Sequence, residues 1–187
     1  MKRIILTYGL AAGVIVGSVM LVTMPLYLNG TFDFSNGEVL GYSSMVIALS
    51  MVFFGVKSYR DKHKNGVISF GKAVQVGMLI TAVAAVIYGM AWEVCYSQMG
   101  EEFSAQMTVR YFDKMEKQGI SGEELDEAKE EWTAFSEMYK NPLIRFGVTI
   151  TEILPVGIIL SLLSAGLLRK KEFLPDTETK ESKQQTI

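Results

Sequence analysis

Residues 146–168 read FGVTITEILPVGIILSLLSAGLL, and Glu152 is the only charged residue in this stretch. Three further apolar stretches, residues 4–28, 39–56 and 73–92, contain no Asp, Glu, Lys or Arg. A helix needs roughly 20 apolar residues to cross a hydrocarbon layer of about 30 Å, and in lipid it satisfies its own backbone hydrogen bonds. The four stretches therefore predict an integral membrane protein with four spans.

The predicted fold class is all-α, an integral membrane bundle of four transmembrane helices. With their interfacial residues included, the spans are expected at about 4–28, 39–58, 70–95 and 143–168. The composition agrees, because 49% of the 187 residues are hydrophobic. The first span is expected to stay uncleaved, since no small-residue cleavage pattern follows it. We therefore expect one transmembrane domain over residues 1–171.

Basic residues are concentrated on one side of the predicted spans. Lys2 and Arg3 precede the first span, the 57–72 connector is rich in Lys and Arg, and the basic residues 169–171 follow the fourth span. The loops on the other side carry an excess of acids. Because positive flanks stay in the cytoplasm during insertion, both termini are predicted to be cytoplasmic. The polar tail, residues 172–187, is predicted to be disordered on that side.

The long loop between the third and fourth spans has helical periodicity. Apolar side chains recur every three or four residues, which predicts two amphipathic helices at about 101–118 and 122–139. Ser121 and Glu124 have the spacing of a capping box at the start of the second helix. We expect an extracytoplasmic hairpin over residues 101–139, whose apolar faces meet each other or the membrane surface.

The sequence excludes several kinds of chemistry. Cys95 and His63 are the only residues of their types, so neither an internal disulfide nor the usual structural zinc site can form. The nucleotide-binding motifs and the H-E-x-x-H zinc motif are also missing. We therefore expect no metal, no cofactor, no catalytic residue and no nucleic-acid partner, and we predict that the protein is not an enzyme.

Glu152 is the first candidate for a functional residue. Counted along a helix from residue 143, it lies about 13 Å from the outer end of the fourth span, close to the membrane midplane. An ionisable side chain at that depth usually faces a bundle interior or a wet cavity. Pro155, three residues later, frees a backbone carbonyl beside it. The pair is typical of a proton or cation site, but it also fits a protonated structural lock or a position that water reaches through a thin bundle.

Three charged residues lie at the outer ends of the predicted spans. Glu38 begins the second span, Glu93 ends the third, and Arg145 begins the fourth. Arg145 is expected to pair with Glu93 or Glu38. Such a cluster attracts cations or basic partners, while the alternative is ordinary interfacial charge in contact with water.

Small residues in the first and fourth spans predict close helix packing. Gly9, Gly13 and Gly17 form two overlapping G-x-x-x-G steps, and Gly157 and Ser161 have the same spacing. Small side chains at this spacing let two helix backbones approach closely in lipid. The contact is expected within the bundle, and a homodimer through the first span is the alternative.

Five strings resemble a known family. They are NGEVLGY (36–42), FFGVKSYRD (53–61), GVISFGKA (66–73), YKNP (139–142) and EILPVG (152–157). Together they resemble the bacterial membrane family catalogued as domain of unknown function 4199, which consists of small four-span proteins typical of Bacteroidota. The resemblance implies a bacterial inner-membrane protein. It implies no activity, because the family itself is uncharacterised.

Two functions remain open at this stage. The first is a non-enzymatic accessory or assembly component, whose outer hairpin and basic connector contact a membrane protein partner or anionic lipid. The second is a small oligomeric transporter or channel, coupled to protons or cations through Glu152. In both, the lipid bilayer is the immediate surroundings, and a homo-oligomer is possible. A membrane enzyme is the least expected, since no nucleophile stands beside a base.

Overall fold

The structure is a computed structural model, and it describes residues 1–32, 37–64, 66–170 and 173–174. These residues form helices and turns and contain no strand, which confirms the predicted all-α class. The helices are α1 (Lys2–Leu28), α2 (Gly37–Lys64), α3 (Phe70–Lys117), α4 (Glu123–Tyr139) and α5 (Pro142–Leu168).

Four of the helices, α1, α2, α3 and α5, are long and apolar enough to cross a membrane. Large apolar side chains such as Val22, Ile47 and Ile159 are exposed on their outward faces. An extensive exposed apolar surface would be a liability in water, but it is the surface that lipid requires. The predicted multi-pass membrane protein with four spans is therefore confirmed.

The start of α1 and the ends of α2 and α5 lie at the same end of the bundle. The Met1 ammonium is 3.4 Å from Nε2 of His63, and Arg60 donates to the Leu168 carbonyl at 3.5 Å. We call this the terminal end of the bundle. The opposite end, where α3 continues towards α4, is called the α4 end.

The predicted break between the third span and the first hairpin helix is wrong. α3 runs without interruption through 48 residues, about 72 Å at 1.5 Å per residue. The stretch 96–100 contains no proline, and one glycine inside a helix costs only about 1 kcal/mol. Gly100 is also needed there, because an added Cβ would lie 2.8 Å from the Tyr96 ring. The first arm of the predicted hairpin is therefore the distal part of α3.

The predicted capping box is also wrong. α4 begins at Glu123, and its N-cap is Gly122, which makes no side-chain bond and has φ of +68°. Ser121 therefore lies one residue too early to cap the helix. α3 ends in a Schellman turn, in which Gly119 has φ of +82° and the Ile120 N–H donates to the Met115 carbonyl at 3.1 Å. Two glycines in the left-handed region thus make the turn between the helices.

Glycines of α1 bring this helix into close contact with α3. The pairs and the distances that an added Cβ would have are Gly9 with Val83 Cβ at 2.6 Å, Gly13 with Ile87 Cβ at 2.7 Å, and Gly17 with Ala91 Cβ at 3.1 Å. Any larger side chain would push the backbones apart. Gly9, Gly13 and Gly17 therefore contact α3 of the same chain, which is the intramolecular packing expected from the sequence.

α5 approaches the other side of α3 in the same way. Gly77 faces Ser161, and Gly157 faces Thr81 so closely that an added Cβ would overlap the threonine side chain. The buried hydroxyls of Thr81 and Ser161 have no hydrogen-bond partner among the residues that the structure describes. Packing, rather than hydrogen bonding between side chains, therefore holds this contact together.

α2 packs tightly against the other helices only in the terminal half of the bundle. There Gly55 lies against Ile80 and Tyr8, and Val52 and Val56 are fully buried. Towards the α4 end, Val39, Leu40 and Tyr42 of the same helix are exposed. The terminal half is consequently solid, whereas the α4 half contains a cavity beside α2.

Arg60 is an exception to the expectation that the 57–72 connector presents its bases to lipid or partners. Its side chain is 0% exposed. It donates to Asp61 Oδ1 at 2.7 Å and to the carbonyls of Phe173 and Leu174 at 2.8 and 2.6 Å. A cation is favourable here because the α5 carbonyls end at this point. Apart from residues 173 and 174, the predicted tail at 172–187 lies outside the described residues.

We predict that Gly77→Ala destabilises the protein, because its Cβ would lie 2.7 Å from Ser161 Oγ and 3.2 Å from Ser161 Cα. Overpacking of this kind costs about 1–3 kcal/mol. Gly166→Ala on α5 is the matched control, since its Cβ meets nothing within 4 Å. Thermal unfolding in detergent measures both. Equal melting temperatures for the two variants would contradict the close α3–α5 contact.

Candidate functional site

A partly open cavity of about 890 Å³ occupies the α4 half of the bundle. All five helices contribute to its wall. Methionine and aromatic side chains make up much of its lining, namely Met20, Met24, Met45, Met107, Tyr27, Tyr42, Tyr88, Trp92, Phe103, Tyr111, Trp132 and Tyr139. Volumes of this order accommodate a drug-sized molecule. The cavity is therefore the candidate functional site.

Glu152 lines this cavity from α5. The Tyr88 hydroxyl on α3 donates to its Oε2 at 3.4 Å, which is a long hydrogen bond. Two of the environments that the sequence left open for Glu152 are a hydrogen bond to a neighbouring helix and a cavity. The structure shows both, because Glu152 contacts the Tyr88 hydroxyl and also lines the cavity. It is the only acid among the lining residues that the structure describes.

Pro155 does not belong to the cavity wall. It is exposed on the outside of α5, and the helix continues past it to Leu168. The proline therefore reaches the site only through the backbone of its own helix. Glu152 and Pro155 are close in the sequence, but only Glu152 lines the cavity.

Arg145 joins three helices beside the cavity. Its Nε donates to Glu93 Oε1 at 2.9 Å, and its Nη2 donates to Glu93 Oε2, so the pair is bidentate. Its Nη1 donates to the carbonyls of Tyr139 and Lys140 at 3.2 and 3.3 Å, at the C-terminus of α4. The guanidinium also lies 3.8 Å from the centre of the Tyr96 ring.

The structure therefore places Arg145 with Glu93, one of the two partners that the sequence offered. The side chain of Glu38 lies outside the described residues, so the third member of the predicted cluster has no described position. Arg145 is buried, and Glu93 is partly so. This pair fixes the start of α5 against α3 and α4, and neither residue lines the cavity.

Aromatic contacts connect the cavity to α4. The Trp92 indole N–H donates to the Tyr139 hydroxyl at 2.9 Å, and Trp132 stacks on Tyr111 with centroids 4.3 Å apart. The Trp132 N–H donates to Thr108 Oγ1 at 2.9 Å. Burial raises the pKa of Tyr139 to about 12, so its hydroxyl stays protonated even in mildly alkaline solution.

Sequence reasoning did not identify this aromatic lining as a site. Trp92 fits the interfacial anchor of a span equally well, and Tyr111 and Trp132 fit a hairpin interface. The signal that could have revealed it is the run Tyr88, Trp92, Phe103, Met107 and Tyr111, which recurs along α3 once that helix is taken as continuous.

The described lining of the cavity is mostly neutral. Among the described residues, no group of three or more His, Cys, Asp or Glu side chains is placed to hold a metal ion. The acidic and basic residues of the described lining are Glu152, Arg110 and Lys114. Such a wall can enclose an apolar body and make a few polar contacts to it.

We predict that Arg145→Gln lowers the free energy of unfolding by about 2 kcal/mol, because it leaves Glu93 without its partner in a partly buried place. Lys140→Gln is the control, since its ion pair with Glu137 is largely exposed and contributes little. Unfolding in detergent followed by tryptophan fluorescence measures both. If Arg145→Gln costs no more than Lys140→Gln, the proposed role of this pair in fixing α5 is wrong.

Comparison with known proteins places the chain in a family. No curated protein and no solved structure matches it. A family model described as a protein of unknown function (DUF4199) matches residues 7–170. The match extends from the first turns of α1 to just beyond the end of α5, and it includes the whole cavity wall. The chain therefore belongs to the DUF4199 family of proteins of unknown function.

Proposed function

We propose that this protein is a non-enzymatic component of the bacterial inner membrane that binds a small molecule in its cavity from the outer side. The cavity is the observation that carries the proposal. It is partly open, and its lining residues lie in the α4 half of the bundle. Among the described lining residues, no hydroxyl of a serine or threonine is hydrogen-bonded to a base, and this supports a binding role rather than catalysis.

The distribution of charge supports an outward-facing cavity. Lys2, Arg3, Lys62 and Lys64 lie at the terminal end, while α4 starts with Glu123, Glu124 and Asp126 in its first turn. Basic flanks favour the cytoplasmic side. With the terminal end in the cytoplasm, the cavity faces the outer half of the membrane and the space beyond it.

Packing of α4 weakens the case for an assembly role through the hairpin. Trp132 on its apolar face stacks on Tyr111 of α3, so this part of the face contacts the other arm of the hairpin and is not available to a partner. The cavity is thus the stronger functional feature. Transport of the ligand would require a second state in which the terminal half also opens, whereas binding requires only the arrangement described.

Filling the cavity tests the proposal. Gly41 on α2 lines the cavity, and a Cβ added to it meets nothing within 4 Å, so Gly41→Phe should occupy the space without disturbing the bundle. Gly147→Phe is the matched control, since Gly147 is equally unobstructed, lies on α5 and is not part of the lining.

The measurement is native mass spectrometry of protein released from detergent micelles after mild purification from bacterial membranes. Wild-type protein and Gly147→Phe should carry the same small-molecule adduct, and Gly41→Phe should lose it. Wild-type protein without an adduct, or an adduct that survives in Gly41→Phe, would contradict the proposal.

A further inference from the structure

The charges of the cavity are separated along its length. Glu152 and Tyr88 lie in the spanning part of the bundle. The two basic lining residues, Arg110 and Lys114, are 22 and 26 residues beyond Tyr88 on α3, about 33 and 39 Å away along the helix axis. Among the described lining residues, the acidic or basic side chain in the spanning part, at the deep end of the cavity, is therefore an acid, Glu152.

Glu152 makes no ion pair with any basic residue in the part of the chain that the structure describes. Among the described residues it makes one hydrogen bond, from Tyr88. Arg145, seven residues earlier on α5, is bound to Glu93. A carboxylate at membrane depth is costly unless a counter-charge or further hydrogen bonds compensate it. The deep end thus lacks a positive group that a ligand could supply.

The walls near Glu152 suit a cation on an apolar body. Tyr88, Trp92 and Tyr139 line this region, and aromatic faces attract cations. Met20 and Met45 on α1 and α2 complete the wall with flexible, polarisable side chains that adapt to the shape of an apolar group.

Exposed lining residues also occur in the spanning part of the bundle. Tyr42 on α2 and Val148 on α5 both line the cavity and are 50% and 39% exposed. Glu152, one helical turn from Val148, is exposed as well. These exposed lining residues on α2 and α5 suggest the gap between the two helices as the route by which a molecule dissolved in the lipid would reach the carboxylate.

We infer that the ligand is a lipophilic organic monocation, which enters from the bilayer between α2 and α5 and places its positive group against the Glu152 carboxylate. This inference rests on the proposed function, because it names the ligand class of the same cavity. Charge complementarity selects the cation, and the methionine and aromatic walls select an apolar body.

Tetraphenylphosphonium and tetraphenylborate test the inference, since they have nearly the same size and shape and carry opposite charges. Binding is measured by equilibrium dialysis of the full-length protein in lipid nanodiscs, with empty nanodiscs subtracted. The phosphonium should bind at least about tenfold more tightly than the borate, which corresponds to about 1.4 kcal/mol. Glu152→Gln should remove this preference, and Glu152→Asp, which keeps the charge, should retain it.

The variants separate a binding role from a folding role. Gel filtration shows whether Glu152→Gln is folded, and the charge-retaining Glu152→Asp keeps the inference testable if it is not. A phosphonium affinity that is unchanged in folded Glu152→Gln would overturn the inference, as would a loss of the preference in folded Glu152→Asp.

Failure of the inference can be told apart from failure of the proposed function. If the borate binds as well as the phosphonium and Gly41→Phe abolishes both, the cavity binds ligands but does not select cations. If neither ion binds above the empty nanodiscs, the inference is overturned, and the adduct experiment decides the proposed function separately.

Discussion

The close approach of α3 to both α1 and α5 is the contact on which the rest of the structure depends. In lipid the helices gain no hydrophobic driving force from meeting each other, so packing must supply the association. Gly13 and Gly77 show how this is achieved, because each leaves a place that a side chain of the neighbouring helix fills. A side chain larger than hydrogen at either position would separate the backbones. α3 is thereby fixed between its two neighbours along most of its transmembrane length.

The cavity follows from the different behaviour of α2. In the terminal half, Gly55 lets α2 meet Ile80 of α3, and Arg60 joins its end to the carbonyls beyond α5. In the α4 half the cavity lies beside α2, and Tyr88 and Trp92 of α3 form part of its wall. The helices are therefore closely packed in the terminal half and enclose a cavity in the α4 half, as expected of a pre-formed ligand site. The Arg145–Glu93 pair fixes the rim beside it.

Local properties of the sequence predict the four spans, because length and hydrophobicity alone decide whether a helix can cross a membrane. They do not predict where α3 ends, since Gly100 looks like a break and is in fact a site of close packing. The burial of Arg60 was missed for a related reason, because its partners are carbonyls more than 100 residues away and a basic connector normally faces water. Glu152 is prominent in the sequence, whereas the cavity around it is not. The cavity depends on how closely α2 packs against the other helices, and contacts between segments distant in the sequence determine this.

The central claim is that the α4 half of the bundle encloses an outward-facing space that reaches Glu152. Thiol accessibility in intact cells tests it most directly, with the native thiol removed by Cys95→Ser and with a membrane-impermeant, positively charged methanethiosulfonate added outside. Glu152→Cys should be modified, and Thr151→Cys, which lies at the same depth but is exposed outside the cavity wall, should not. Equal reactivity at the two positions, or modification of Glu152→Cys only in inverted vesicles, would contradict the account.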